Sequence, residues 1–311
     1  MARAVITIVG AGNVGAAAAH LAALKNLGDI VLLDIVEGLA QGKALDLAQA
    51  GAIESYNCRI TGTNDWAQTA NSDLVVITSG LPRKPGMSRD DLLTKNTEIV
   101  KSVSSKIAQY SPDSIVIVVC NPLDAMVHCA AKVTGFAKNK VIGMAGELDA
   151  ARFSYFAADA LGVSVKDIKA VLLGGHGDDM VPLPGYTSAA GIPITDLLDQ
   201  KTIAGLIERT RNAGIEVVNL LGASAYYAPA AGVVKMAEAI LKDTKTIVSC
   251  CAYCHSQYNT GGYFVGVPAV LGKNGVEKVI ELELNKDEQT QFAKSLAHVK
   301  QLAAQVDKLL E

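Results

Sequence analysis

Asp149 and Arg152 lie three residues apart, and His176 follows between Gly174-Gly175 and Gly177. A histidine paired with a carboxylate that fixes its tautomer can carry one proton near neutral pH. An arginine beside them can hold a carboxylate through two parallel hydrogen bonds. Together the three types point to proton transfer on a small anionic substrate. Glu147 to Leu161 reads as a helix, and at this spacing Asp149 and Arg152 project from one face of it. The apolar run Ile168 to Leu173 reads as one strand, which sets His176 on a glycine-framed turn at its end. Met180 to Pro184 is its expected antiparallel partner across that turn.

The elements that must serve this trio begin at the N-terminus. Ala4 to Val9 is a short β-branched run that reads as a buried parallel strand. Gly10, Ala11, Gly12, Asn13, Val14 and Gly15 follow at once, and Ala16 to Leu24 reads as helix. A G-x-G-x-x-G with a strand before it and a helix after it has the setting of a dinucleotide loop. The first glycine permits the tight turn, the second lets a pyrophosphate approach, and the third lets helix pack on strand. The helix N-terminus then offers free N–H groups to the phosphates. A second strand, Ile30 to Leu33, ends at Asp34, nineteen residues after Gly15. A carboxylate there accepts from ribose hydroxyls and repels a 2′-phosphate, which favours NAD over NADP. The plain alternative is a solvated loop aspartate or a helix cap.

Two further stretches carry both a chemical and a plain reading. Gly80, Pro82, Arg83, Lys84, Pro85, Gly86 and Arg89 put three cations into one short segment that breaks regular structure. It is either a surface turn or a lid that brings positive charge onto an anion. Asn121, with Val119 and Cys120, ends the buried strand Ser114 to Val119 on the edge where parallel sheets bind ligands. The alternative for Asn121 is turn chemistry ahead of Pro122.

The remaining elements complete two halves. Glu37 to Ile53, Asp90 to Gln109 and Leu123 to Val133 read as helices, and Arg59 to Thr63, Leu74 to Thr78 and Lys140 to Met144 as strands. Six strands alternating with helices predict a Rossmann-type doubly wound parallel sheet over residues 1–145. From 146 to 311 the pattern becomes α+β. Thr202 to Leu221 and Ala223 to Leu241 are expected helices, the second kinked at Pro229. Thr246 to Tyr253, Tyr263 to Leu271 and Gly275 to Leu282 are expected antiparallel strands, and Asp287 to Leu310 a terminal helix.

Bulk properties exclude several classes. At roughly 150 residues per domain, 311 residues imply two domains. Net charge is −3 and aromatics are 5%, which argues against nucleic acid and anionic membranes as partners. The longest apolar run, Ile115 to Cys120, is of strand length, and no N-terminal signal is read, so a globular cytoplasmic protein is expected. Cys250, Cys251, Cys254 and His255 formally match C-x-x-C-H. Its β-like setting, with no second C-x-x-C, favours core cysteines, and no metal site is expected. Cys58, Cys120 and Cys129 likewise read as core.

With these residues in view, the chain resembles the lactate/malate dehydrogenase family, and within it the bacterial malate enzymes built on the lactate dehydrogenase plan. The likeness spans the whole chain, through Gly10 to Gly15 with Asp34, Gly80 to Arg89, Asn121-Pro122, Asp149-x-x-Arg152, Gly175-His176-Gly177 and Ser224 to Pro229. The resemblance implies that His176 takes the proton of the C2 hydroxyl, with Asp149 orienting it. It further implies that Arg152 clamps the C1 carboxylate, that Arg89 closes with the lid, and that Asn121 bonds the substrate. Asn96, with Val119 and Cys120, is implied as a cofactor contact and Ser224 as pocket wall. Arg83 falls where the family reads its substrate, with glutamine in lactate enzymes and arginine in malate enzymes. A dicarboxylate, malate or oxaloacetate, is therefore implied, with NAD as cofactor and a homodimer or homotetramer as assembly. Lys84 beside Arg83 leaves open which cation faces the substrate.

Alternatives differ in what they need. A lactate or broader 2-hydroxyacid dehydrogenase is opposed mainly by Arg83. A non-catalytic NAD-binding sensor gives no reason for His176, Asp149, Arg152 and Arg89 to occur together. A short-chain-type oxidoreductase needs Tyr-x-x-x-Lys, and no tyrosine here has lysine four residues on.

Overall fold

The computed structural model describes residues 3–82 and 88–311. Its N-terminal half alternates strand and helix: β1 (Val5–Val9), α1 (Asn13–Leu24), β2 (Asp29–Leu33), α2 (Leu39–Glu54), β3 (Ile60–Thr63), β4 (Leu74–Ile77), α3 (Arg89–Tyr110), β5 (Ile115–Val118), α4 (Leu123–Thr134) and β6 (Val141–Gly143). The six strands are parallel in the order β3-β2-β1-β4-β5-β6. β4 (LVVI) and β5 (IVIV) are buried at every position, as strands covered on both faces must be. The strand order reverses between β1 and β4, and a crevice opens beyond the carboxyl ends at such a point. The loops that leave Val9 and Ile77 both start there.

The second half contains α5 (Gly146–Leu161), β7 (Ile168–Lys169), β8 (Leu172–Gly174), β9 (Met180–Pro182), β10 (Ser188–Ala189), β11 (Ile192–Pro193), α6 (Gln200–Leu221), α7 (Tyr227–Leu241), β12 (Thr246–Cys254), β13 (Tyr263–Gly272), β14 (Gly275–Val279) and α8 (Lys286–Leu310). β12 continues the main sheet antiparallel to β6 through the pair Cys251↔Gly143. β13, β8 and β9 follow in that order, and β14 lies on β13. One sheet therefore spans both halves. α8 buries Phe292, Leu296, Val299, Ala303 and Val306, a stripe of helical period, and packs on α3, α4 and β9.

Three of the expected elements differ most from the sequence reading. The run 168–173 is two strands, with β7 in a small sheet β11-β10-β7 and β8 in the main sheet. Between them the Val171 amide donates to Thr187 Oγ1 (3.2 Å), so the chain changes sheets inside one apolar run. Hydropathy cannot report this, because both ends are buried. α7 starts at Tyr227 rather than Ala223, and Gly222 in the left-handed region closes α6 before it. Pro229 falls in the first turn of α7, where its missing N–H has no helical partner to lose, so the proline causes no kink. The last antiparallel strand ends at Val279 instead of Leu282.

Cys250, Cys251 and Cys254 lie buried on β12 as free thiols, and Cys58, Cys120 and Cys129 are also buried and free. Among the described residues, no helix is long and apolar enough to cross a membrane.

Candidate active site

α5 carries Asp149 and Arg152 toward the turn that follows β8. Phe153, fully buried with Leu172, Met180, Ile194 and Ile203, anchors the helix beside them. Asp149 is buried, and its two oxygens are divided. Oδ2 lies 2.8 Å from His176 Nδ1, and Oδ1 accepts from Arg152 Nη1 at 3.2 Å. His176 and Arg152 are both largely but not wholly covered, at 19% and 17% side-chain exposure, so their outer atoms remain open to a small ligand.

Burial alone would push the His176 pKa down. The charge and hydrogen bond of Asp149, aided by Asp124, outweigh that effect and the opposing Arg152, and the imidazole sits above its ordinary value. With Nδ1–H given to Asp149, Nε2 is the nitrogen left to accept a proton.

The turn that holds His176 is fixed from several sides. Gly174 has φ +84°, and a Cβ there would lie 2.6 Å from Ser295 Oγ. The Gly175 amide donates to Ser295 Oγ of α8 (2.8 Å), and the His176 amide donates to Asp124 Oδ2 of α4 (3.1 Å). A cavity of about 290 Å³ opens beside His176, with Asn121, Asp124, Asp179, His298 and Val299 among its lining. A larger cavity of about 710 Å³, under Tyr258 and Phe292, contains none of the trio.

Asn121 is exposed at the start of the α4 turn, and its peptide bond to Pro122 is cis. Asn96 of α3 is buried, and its Nδ2 donates to the carbonyls of Asn121 (2.6 Å) and Leu81 (3.1 Å). Its Oδ1 accepts the Leu81 amide (2.8 Å), so Asn96 ties the base of the 80–89 loop to Asn121. Val119 and Cys120 follow the end of β5, with Cys120 buried and its thiol pushed up to about 12 by burial. Ser224 stands exposed in the 223–226 link between α6 and α7 and is hydrogen-bonded to none of these residues. Arg83, with Lys84, lies outside the described residues. Arg89 opens α3, and its side chain lies outside the description.

The glycine loop meets the demands of a pyrophosphate cradle. Gly10 has φ +107°, with Thr78 Oγ1 and Ser79 N within 2.8 Å of a would-be Cβ. A Cβ on Gly15 would lie 1.9 Å from the Gly10 carbonyl, so helix and strand touch there. At Gly12 nothing lies within 4 Å, and this is the side left free for a ligand. No side chain caps α1, where Asn13, Val14 and Gly15 form the first turn, and its N–H groups stay available to phosphate oxygens. Asp34 also braces the loop, as Oδ2 accepts the Ala11 amide (2.6 Å) and Oδ1 that of Val36 (2.9 Å). From the other side, Lys43 Nζ donates to the Ala11 carbonyl (2.7 Å).

Residues 4–143 match the family model described as lactate/malate dehydrogenase, NAD binding domain, and residues 146–310 match the lactate/malate dehydrogenase, alpha/beta C-terminal domain. The chain belongs to the lactate/malate dehydrogenase family. Among relatives, it is 58% identical to the malate dehydrogenase of Heliobacterium modesticaldum, over 98% of this chain and 99% of that one. The fold is similar to malate dehydrogenase from Picrophilus torridus in its apo form, with TM-score 0.96, 44% identity and 99% of each chain covered. It is nearly as similar to lactate dehydrogenase from Cryptosporidium parvum complexed with lactic acid and the dinucleotide, at TM-score 0.95, 41% identity and 99% of each chain. Backbone shape therefore does not separate the two activities of the lactate/malate dehydrogenase family.

Four residues of this family member escaped the sequence reading. Asp124 and Ser295 lie within runs that read only as helix. Lys43 carried no motif. Gly214 of α6 lies against Arg152, with Nη2 3.6 Å from a would-be Cβ. A glycine inside a helix was the one available signal, since it costs stability unless something approaches closely.

Proposed function

We propose that this protein is an NAD-dependent malate dehydrogenase, interconverting (S)-malate and oxaloacetate. The observation that carries the reading is the Asp149–His176 pair with Arg152 bonded to the same carboxylate. Its relatives' names support the dicarboxylate. Residues 1–145 hold the dinucleotide at Gly10 to Gly15 and Asp34, with Asn96, Val119 and Cys120 shaping the nicotinamide end, and residues 146–311 hold the substrate. The single pair Cys251↔Gly143 between β6 and β12 supports a division near residue 145.

The residues act as follows. Arg152 pairs with the C1 carboxylate, and Arg83 with the second carboxylate. Against glutamine at position 83 that second charge would lose its partner, a difference on the order of several kcal/mol between substrates. Arg89 polarises the C2 oxygen, Asn121 bonds the substrate, and Ser224 lines the pocket when substrate is present. Neutral His176 takes the C2 hydroxyl proton at Nε2. Asp149 stabilises the imidazolium that results, so it contributes to rate more than to binding. Bound NAD supplies the acceptor for the hydride that leaves C2. In the reverse direction protonated His176 returns the proton to the carbonyl oxygen.

The protein works in the cytoplasm as a homodimer or homotetramer. Leu45 and Ile53, both more than 60% exposed on α2, and Tyr155 on α5 support an apolar interface.

The test is NADH oxidation with oxaloacetate and with pyruvate, for the wild type and Arg83→Gln. Preference for oxaloacetate that is lost or reversed in the variant is expected. Preference of the wild type for pyruvate would overturn the malate assignment, and NADH binding without turnover would favour a sensor.

A further inference from the structure

The mechanism leaves one buried carboxyl beside the site without a task. Asp124 is 7% exposed, in the first turn of α4, three residues after Asn121. Its Oδ2 accepts the main-chain amide of His176 at 3.1 Å. The same oxygen would lie 3.3 Å from a Cβ on Gly175, so the carboxyl is packed directly on the turn. The neighbouring amide, Gly175, is taken by Ser295 of α8 at 2.8 Å. Two consecutive amides of the catalytic turn are thus held by side chains from two different helices.

We propose that Asp124 is a positioning residue for His176, fixing the height of the catalytic turn relative to the strand end that presents Asn121. The reasoning rests on where each group is anchored. Asp149 grips the imidazole from α5 through Nδ1 and so sets its tautomer and tilt. It does not fix the backbone from which the ring hangs, on a turn flanked by Gly174 (φ +84°) and Gly177 (φ +82°). Asp124 supplies that second point. It belongs to the same helix start as Asn121, so one rigid element sets both the substrate-facing amide and the proton acceptor. The Cys251 thiol of β12 lies beside the carboxyl, which places this contact where the two halves of the sheet meet. Burial pushes the Asp124 carboxyl up, with the His176 amide and the Cys251 thiol opposing.

The inference rests on His176 being the acid–base residue, so His176→Asn is measured alongside. Asp124→Ala removes the acceptor. It is expected to lower kcat for oxaloacetate reduction about 10- to 100-fold, because small misplacements at a reacting centre cost that much. NADH Kd, read by fluorescence, should stay within about twofold, and KM should change less than kcat. Asp124→Asn keeps an oxygen able to accept the His176 amide and is expected to restore kcat to within about threefold of wild type. Should Asp124→Ala fail to fold, Asp124→Ser gives the same reading, because its hydroxyl is too short to reach the amide. A kcat within twofold of wild type in the folded Ala or Ser variant would overturn the proposal. So would an Asn variant as impaired as the Ala variant, since charge and not the acceptor would then matter. If His176→Asn itself retains full activity, the reading of the site fails first; if it is inactive while the Asp124 variants are normal, only the positioning role falls.

Discussion

Asp149 Oδ2 lies 2.8 Å from His176 Nδ1, and this contact decides both the tautomer and the charge preference of the imidazole. Removing the charge while keeping the shape should expose both effects. In Asp149→Asn, kcat is expected to fall about 10²- to 10⁴-fold with little change in NADH affinity. The pH dependence should move as well. On the proposed mechanism oxaloacetate reduction uses protonated His176, so its rate is expected to fall as pH rises through the raised pKa of the wild type. Without Asp149, burial dominates, and that falling limb should shift to lower pH in kcat/KM profiles. A limb that stays in place would mean that another group titrates.

The same pair makes a pH-dependent contribution to stability. A folded-state pKa above the unfolded value of about 6.5 stabilises fully below that pH and loses its effect as pH rises through the folded pKa. The Tm difference between wild type and His176→Asn should therefore be larger at pH 6 than at pH 9.

Gly214 leaves Arg152 its room, with Nη2 3.6 Å from a would-be Cβ. That distance is ordinary contact, so Gly214→Ala should stabilise α6 by about 0.5–1 kcal/mol through helix propensity and leave KM unchanged. Gly214→Val adds methyl groups toward the guanidinium. It should raise KM for oxaloacetate about tenfold or more while NADH affinity holds. Steady-state kinetics beside thermal melts would separate the two outcomes.

Gly12 and Gly15 should respond in opposite ways to one methyl group. Gly15→Ala meets the Gly10 carbonyl and is expected to cost about 1–3 kcal/mol of stability. Gly12→Ala meets nothing in the protein and should cost at most about 1 kcal/mol as a poorer helix cap. NADH binding should nonetheless weaken by tenfold or more, measurable by fluorescence titration, if the pyrophosphate occupies that space.

Asp34 accepts the Ala11 amide, and in the proposed function it also meets the ribose of the cofactor, so its replacement should show two effects. Asp34→Ser should raise the preference ratio for NADPH over NADH by about tenfold, because a 2′-phosphate no longer meets a carboxylate. The KM for NADH should rise too, since the Ala11 amide loses its charged acceptor. An unchanged NADPH ratio would separate Asp34 from cofactor choice.

Much of this molecule was legible before any coordinates. The parallel half announced itself because β1, β4 and β5 are buried on both faces and therefore read as unbroken β-branched runs, with glycines wherever the turns demand them. Asp149 and Arg152 were legible as a pair because helical spacing alone puts them on one face. What depends on contacts between distant segments was not legible. The run 168–173 conceals a change of sheet, because hydropathy is the same on either side of it. The distance from Asp149 to His176 spans 27 positions and is set by how α5 packs against β8, and the pairing of Asp124 with the His176 amide spans 52. Local sequence fixes side-chain type and direction along one element; only the packing of elements brings an amide from one turn to a carboxyl on another helix. The chemistry of this site was thus written in the residues, and its geometry was decided by the tertiary structure.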